Sequence, residues 1–154
     1  MTGKTHLVGA VLAGTALTFG ADPLVSAVLV AAAAVGSKAP DLDRLLDSGP
    51  SHRSLPHSLG LAGGGAVLVA AVAATLPEQH DFFVAAGFAA GYLSHLLLDA
   101  LTPSRVPLLL PGGPRFGLGV IPTGSLREGI LCFLMTFLLA AVLVLRALAY
   151  LQAR

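Results

Sequence analysis

Apolar residues fill five runs along the chain, at about residues 6–21, 24–37, 58–76, 82–101 and 129–151. Polar turns and loops, most of them marked by proline, separate these runs. Runs of this kind predict helices, and about 20 helical residues cross a hydrocarbon core near 30 Å thick. The last three runs have that length. The first two, at roughly 15 residues each, reach only about 22 Å and predict two short spans or a re-entrant hairpin.

The composition agrees with a membrane protein. Of 154 residues, 55% are hydrophobic and 11% are charged, whereas about 25% of the residues of a soluble domain are charged. Nearly the whole chain falls into the apolar runs, so we predict a single membrane-embedded domain over residues 1–154, an all-α bundle of about five helices. The net charge of +1 provides no basic field for nucleic acid. The sequence does not indicate an oligomeric state.

Basic residues indicate the orientation, because Lys and Arg in loops are retained on the cytoplasmic side. They collect in the N-terminus and in the two long loops, at Lys4, Lys38, Arg44, Arg53, Arg105, Arg115 and Arg127. The two opposite turns contain no Lys or Arg. We therefore predict a multi-pass protein of the inner or plasma membrane with its N-terminus in the cytoplasm. Arg146, near the end of the last run, falls on the far side, where a long side chain can reach the interface.

Ionisable side chains gather at the predicted cytoplasmic end of the bundle. His95 and Asp99 lie one turn apart in the fourth run, on the same helix face as Gly87 and Gly91. An Asp at the centre of a membrane helix costs about 2.5–3.5 kcal/mol and usually marks function. The other ionisable side chains at this end flank the runs: His6, Asp41, Asp43, His52, His57 and Glu128.

A bound divalent cation would offset the cost of burying these groups. Imidazole and carboxylate ligands without thiolate suit zinc, manganese or iron. Each group alone also has a structural interpretation: His6 as an interfacial residue, Asp41 or Asp43 as a helix cap, and His95 with Asp99 as a hydrogen-bonded pair. Their convergence on one end of the bundle favours the metal site.

Five segments, in order along most of the chain, resemble the YdjM-like family. These segments read GKTHLVGA (3–10), APDLD (39–43), HRSLPHSL (52–59), GYLSHLLLDALTPSRVPLLLP (91–111) and GSLREGI (124–130). The family is described as LexA-binding, inner-membrane-associated, metal-dependent hydrolases of bacteria. Its pattern matches His6, Asp41, Asp43, His52, His57, His95, Asp99 and Glu128. The sequence departs from this pattern in two places. Thr5 stands where the family often has a small residue, a change expected to be harmless. Residues 54–56 stand where the family has Gly-x-Thr. A looser similarity to zinc-dependent phospholipases C points, by analogy, to phosphoester chemistry.

The resemblance implies one or two metal ions, most simply zinc, held by His6, Asp41, His57, His95 and Asp99. Such a metal lowers the pKa of a bound water toward about 7. The remaining family positions, Asp43, His52 and Glu128, would complete the shell, orient a ligand imidazole, or act as general acid or base. The guanidinium groups of Arg53 and Arg105 flank the site and suit a phosphate oxyanion. The ordinary positive charge of cytoplasmic loops explains these two residues equally well.

We therefore expect a membrane-bound metal-dependent hydrolase of phosphoester bonds in a lipid or lipid-linked substrate. A non-catalytic regulatory or scaffold protein, suggested by the LexA-binding description, is the alternative, and it predicts a structural metal with no open coordination position. An ion transporter fits less well, because transporter sites usually lie near the bilayer midplane.

Overall fold

The computed structural model describes residues 1–42, 57–75, 81–107 and 113–152. Five α-helices and one short 3-10 helix make up most of these ranges: α1 (Gly3–Leu17), α2 (Pro23–Gly36), the 3-10 helix (Ala39–Leu42), α3 (Leu59–Ala73), α4 (Asp81–Ala100) and α5 (Leu126–Gln152). Within the described ranges, extended pairing is limited to one bridge between Val106 and Phe116. The predicted all-α bundle of five helices is confirmed.

Polar residues at the ends of the apolar runs start two of the helices. The Asp22 side chain accepts a hydrogen bond from Leu24 N, and Pro23 occupies the first turn of α2, where its missing N–H costs nothing. Ser58 caps α3 by accepting from Leu61 N. Each helix therefore begins where a short polar side chain satisfies a backbone donor that the helix itself leaves unpaired.

Two helix lengths differ from the prediction. In the described part of the chain, three segments are long and apolar enough to cross a membrane: Pro23–Leu42, Phe82–Ala100 and Leu126–Gln152. The second run reaches 20 residues because the 3-10 helix continues α2 beyond Gly36. Conversely, α3 has only 15 residues in the described part of the chain, about 22 Å at the α-helical rise. With the 3-10 helix included, the second segment is thus longer than predicted, although α2 itself has the 14 residues that the second run indicates, and α3 is shorter than the predicted third run.

Helix α4 lies at the centre, in contact with α1, α2 and α3. A Cβ atom at Gly87 would overlap the carbonyl oxygen of Leu29, and one at Gly91 would overlap that of Ala33. The backbones of α2 and α4 are thus in direct contact, as the small-residue spacing predicts. The same spacing fails at Gly64 of α3, where a Cβ would meet nothing within 4 Å.

Helix α5 packs along α1 and is otherwise largely exposed. Its outward side chains are mostly large and apolar, among them Phe133, Leu134, Phe137 and Leu145. An exposed surface of this composition is typical of a helix that faces lipid. The helix begins three residues earlier than the predicted run, so Glu128 lies in its first turn.

Candidate metal centre

Five predicted metal ligands meet where four elements of the bundle come together. They lie near the start of α1, in the 3-10 helix, just before α3, and in the last turns of α4: His6, Asp41, His57, His95 and Asp99. The possible ligand atoms form two groups, within each of which all atoms lie within 4.8 Å of one another. One group is His6, His95 and Asp99, and the other is Asp41, His57 and His95. His95 therefore belongs to both.

The cluster is closed off from solvent. His6, His57, His95 and Asp99 have at most 1% of their surface exposed, and the Asp41 side chain is 18% exposed. Imidazoles and carboxylates at this depth lose their hydration, so they need partners that replace water. The three imidazoles and two carboxylates contact one another, but these contacts replace only part of the lost hydration.

Asp99 lies between the three imidazoles. Its Oδ1 is 3.2 Å from His6 Nε2, while its Oδ2 is 3.6 Å from His57 Nε2 and 3.7 Å from His95 Nε2. The His6 and His95 rings are stacked, with centroids 3.6 Å apart and planes inclined by 8°. The N-terminal ammonium of Met1 also donates to Asp99 Oδ1 and forms an ion pair with it. The two oxygens of Asp99 thus face two halves of one cluster.

The orientation of His95 follows from one hydrogen bond. His95 Nδ1 lies 2.7 Å from the carbonyl oxygen of Ser37, and because a carbonyl can only accept, Nδ1 must carry the hydrogen. In the neutral ring, Nε2 then presents a lone pair, as in histidines that bind metals. This atom faces Asp99 Oδ2 and, at 3.9 Å, Asp41 Oδ1. Both separations are too long for hydrogen bonds even if Nε2 were protonated.

Two imidazole nitrogens of this cluster are buried without a hydrogen bond in the described part of the chain, His95 Nε2 and His6 Nδ1. Buried polar atoms in folded proteins are almost always paired. A lone pair that faces carboxylate oxygens is stabilised by a cation placed among them. The donor set and the unpaired Nε2 of His95 therefore fit a divalent metal.

Small residues set the position of this cluster. A Cβ at Gly36 would overlap the backbone of Phe88, so glycine at this position lets the end of α2 approach α4. The next residue, Ser37, then reaches His95, which lies one turn after Gly91 on α4. The close helix packing and the ligand orientation thus have the same local cause.

Glu128 lies beside the cluster in a network of its own. Its Oε1 accepts hydrogen bonds from Thr2 N at 2.6 Å and Thr5 Oγ1 at 2.7 Å, and its Oε2 accepts from Gly124 N at 2.6 Å. The side chain is buried, with 3% exposed, and it belongs to neither ligand group. The geometry joins the first turn of α5 to the start of α1, immediately next to His6. A catalytic role for Glu128 stays a prediction.

The other predicted site residues lie outside the cluster or outside the described ranges. Arg105 is exposed in the turn after α4, with a φ of 52°. Within the described ranges, its guanidinium makes no ion pair with the five ligands. Asp43, His52 and Arg53 lie outside the described residues. Their roles stay predictions.

Sequence reasoning missed Ser37 and underrated Thr5. Ser37 acts through its backbone carbonyl, which no side-chain pattern reveals; the available signal was the glycine before it at the end of a helix. Thr5 was expected to be a harmless departure, and its contact was not predicted: its hydroxyl donates to Glu128 and the residue is 1% exposed.

The comparisons with known proteins agree with a membrane protein. The family model described as YdjM inner membrane protein matches residues 1–153. The chain belongs to this family. Its membrane location and transmembrane helices, predicted from the apolar runs, are thereby confirmed.

Two curated relatives illustrate the extent of the similarity. YvsG of Bacillus subtilis is 32% identical over 142 residues, covering 83% of this chain and 85% of the relative. The inner membrane protein YdjM of Escherichia coli is 38% identical over 89 residues, which is 53% of this chain and 42% of the relative. The chain thus spans less than half the length of that second relative. No solved structure matches the chain.

Proposed function

We propose that the protein is a membrane-bound, metal-dependent hydrolase whose metal ligands are His6, Asp41, His57, His95 and Asp99. The observation that carries this proposal is the Nε2 lone pair of His95, which is fixed by Ser37 and faces two carboxylates across gaps of 3.7 and 3.9 Å. Mixed imidazole and carboxylate ligands favour zinc, with manganese and iron as the alternatives.

The arrangement of Asp99 supports a site for one or two ions. Its Oδ1 lies near His6 and its Oδ2 lies near His57 and His95, and His95 belongs to both ligand groups. A carboxylate in this position can serve both halves of the cluster. Paired metals suit phosphoester hydrolysis because they stabilise both the attacking and the leaving oxygen.

A divalent metal, when bound, supplies a Lewis acid and a water that ionises near neutral pH. The surrounding residues would hold the ligands in place, transfer protons and bind the substrate. Ser37 holds the tautomer of His95, and Glu128 positions the start of α1 through Thr5. Asp43 and His52 are the candidates for general acid or base. Two guanidinium groups are the candidates to bind a phosphate oxyanion: Arg53 and Arg105.

A cleft beside the cluster supports a lipid or lipid-linked substrate. This cleft, about 360 Å³ in volume, lies between α1, α4 and α5, and its walls are almost entirely apolar, including Gly9, Leu98 and Met135. Leu98 directly precedes Asp99, and Gly9 lies about one turn after His6. An acyl chain in this cleft would bring a phosphoester in the headgroup region toward the ligands.

The proposed location of the site is the cytoplasmic face of the inner membrane. Lys4 and Lys38 lie at the same end of the bundle as the ligands, and the Lys38 ammonium donates to the carbonyl oxygen of Gly3. Basic residues concentrate on the cytoplasmic side of membrane proteins. Reporter fusions to the C-terminus test the orientation. The proposal requires that Glu128, at the start of α5, lies on the cytoplasmic side of the membrane and that the other end of α5 lies on the opposite side.

Metal analysis of the purified full-length chain tests the metal site. We expect one or two divalent ions per chain in the wild type and a loss of bound metal in Asp99→Asn. The matched control is Asp22→Asn at the opposite end of the bundle, where Asn caps a helix as well as Asp does. A wild-type protein that binds no zinc, manganese or iron when these ions are added would refute the metal site.

Turnover of a phospholipid in mixed micelles tests the reaction. We expect hydrolysis that stops with chelator, returns with zinc and is lost in Asp99→Asn while Asp22→Asn retains it. Loaded protein that cleaves only soluble phosphoesters, equally well without lipid, would refute the lipid substrate.

The nearly complete burial of four ligands favours a second candidate, a regulatory or scaffold protein whose metal only joins the helices. The two functions differ in the His95→Ala variant. Lost turnover with an intact fold supports catalysis, whereas outright unfolding with no turnover in the wild type supports a structural metal.

A further inference from the structure

The end of the bundle opposite the candidate metal centre holds a charged residue, Arg146, inside the long apolar helix α5. Arg146 follows Glu128 on α5 by about five turns, a rise of about 27 Å. That distance is close to the thickness of a hydrocarbon core, about 30 Å. Arg146 therefore lies near the membrane interface opposite the cluster.

The guanidinium of Arg146 joins three helices. It donates to Thr18 Oγ1 at 3.1 Å, at the end of α1, and to Ser26 Oγ at 2.6 Å, in the first turn of α2. Both hydroxyls are buried, and each also donates to a backbone carbonyl of its own helix, Gly14 and Asp22 respectively. Their lone pairs are thus directed to Arg146.

These partners leave the charge of Arg146 uncompensated. Both are neutral hydroxyls, and Arg146 makes no ion pair within the described ranges. The carboxylate of Asp22, near the start of α2, instead accepts a hydrogen bond from Leu24 N at 2.8 Å. A guanidinium has five N–H donors, so several of those of Arg146 remain for an anion.

A cleft of about 410 Å³ opens directly beside this charge. Its walls are largely apolar, and Arg146 is its one cation among the described residues. Gly20 in the wall has a φ of 82° and has open space where a Cβ would point. Apolar walls around a single cation near a membrane interface match a lipid, whose phosphate pairs with the guanidinium while its chains remain in apolar surroundings.

We propose that this cleft binds the phosphate group of a membrane lipid, with Arg146 as its ligand, in the leaflet opposite the candidate metal centre. Free phosphate has the same anionic chemistry but gains nothing from the apolar walls. The inference is independent of the proposed hydrolase, because it involves neither its ligands nor its cleft.

The test is the thermal unfolding midpoint of the full chain in detergent, titrated separately with phosphatidylglycerol, diacylglycerol and inorganic phosphate. Phosphatidylglycerol should raise the midpoint, and the other two should not. Arg146→Gln should weaken the apparent affinity for phosphatidylglycerol by about tenfold or more, because a hydrogen bond to a charged group is lost.

A second variant separates lipid binding from the role of Arg146 in joining the helices. Ala149→Phe fills the cleft but leaves the hydrogen bonds of Arg146 to Thr18 and Ser26 in place. It should remove the part of the rise with phosphatidylglycerol that Arg146→Gln also removes, while the midpoint in lipid-free detergent stays unchanged. Leu148→Phe is the matched control, since Leu148 is exposed and lies outside the cleft.

Three results would overturn the proposal. Equal stabilisation by diacylglycerol would indicate that only the chains bind, and equal stabilisation by inorganic phosphate would indicate a site for free anions. Wild-type affinity for phosphatidylglycerol in Ala149→Phe would show that the lipid binds elsewhere. If Arg146→Gln fails to fold, the contrast between Ala149→Phe and Leu148→Phe decides the question alone.

Discussion

Helices α4 and α5 both have the length and composition of membrane spans, but their surroundings differ. The most apolar stretch of 18 residues has a mean hydropathy of 1.4 in α4 and of 2.5 in α5. The α4 span contains His95 and Asp99 and is surrounded by three other helices, whereas α5 packs along α1 and presents apolar side chains outward. The lower hydropathy of α4 fits its buried position, because protein rather than lipid surrounds its polar groups.

Removal of the proposed metal, whose ligands include residues of α4 but none of α5, should produce the largest change in the free energy of unfolding. The proposed metal joins α1, the 3-10 helix, the start of α3 and α4, so chelation should destabilise the wild type by about 4 kcal/mol when the ion is present at about 1,000 times its Kd. The unfolding midpoint with and without chelator measures this. Asp99→Asn should show no response to chelator, and Asp22→Asn should respond like the wild type. A wild-type midpoint that chelator does not change would contradict a structural contribution from metal.

The contact between α2 and α4 should produce the next largest effect. Gly91→Ala forces the backbone of Ala33 to move and should cost about 3 kcal/mol. Gly129→Ala on α5 is the matched control, since its new Cβ meets nothing within 4 Å, and it should stabilise the helix by about 0.5–1 kcal/mol. Unfolding midpoints in detergent compare the two variants. Similar midpoints for both would show that α4 is no more tightly packed than α5.

The sequence predicted the number of helices and the membership of the cluster, because polar groups in apolar runs are conspicuous and costly. His95 and Asp99 share a face with Gly91 by simple helical periodicity, so their direction into the bundle could also be predicted. Neither conclusion required knowledge of how distant parts of the chain pack.

The features that the sequence did not predict depend on tertiary contacts. The extension of α2 to Leu42 passes through Pro40, which reads as a helix stop but here lies in the 3-10 helix. The hydrogen bond from His95 to Ser37 involves a backbone carbonyl, and the hydroxyl of Thr5 reaches Glu128 across more than a hundred residues. Such contacts leave no periodic pattern in the chain.

Glu128 connects the first turn of α5 to the start of α1, and Glu128→Gln tests which role it has. The Gln amide would place donors where Thr2, Thr5 or Gly124 now donates, so we expect a loss of about 2 kcal/mol in the free energy of unfolding. Because both carboxylate oxygens already accept hydrogen bonds, turnover of the folded variant should fall less than about tenfold. A fall of 10²-fold or more with an unchanged midpoint would instead assign Glu128 to general acid–base catalysis.

The smallest effect distinguishes two threonine hydroxyls, one at the junction of α1 with α5 and one on the outer surface of α5. Thr5 donates to Glu128 at 2.7 Å in a buried position, whereas Thr136 is exposed and donates to the Cys132 carbonyl of its own helix at 2.8 Å. Thr5→Val should cost about 1 kcal/mol, because the carboxylate of Glu128 loses one of its donors. Thr136→Val should change the midpoint little, since the hydroxyl faces outward and its bond only duplicates the helical hydrogen bonding of that carbonyl. Metal content should be unchanged in both, as neither side chain is a ligand. Equal losses of stability in the two variants would mean that an outward-facing hydroxyl of α5 stabilises the protein as much as one in the buried network beside the candidate metal centre. The contrast between the buried and the exposed parts of the bundle would then not extend to their hydrogen bonds.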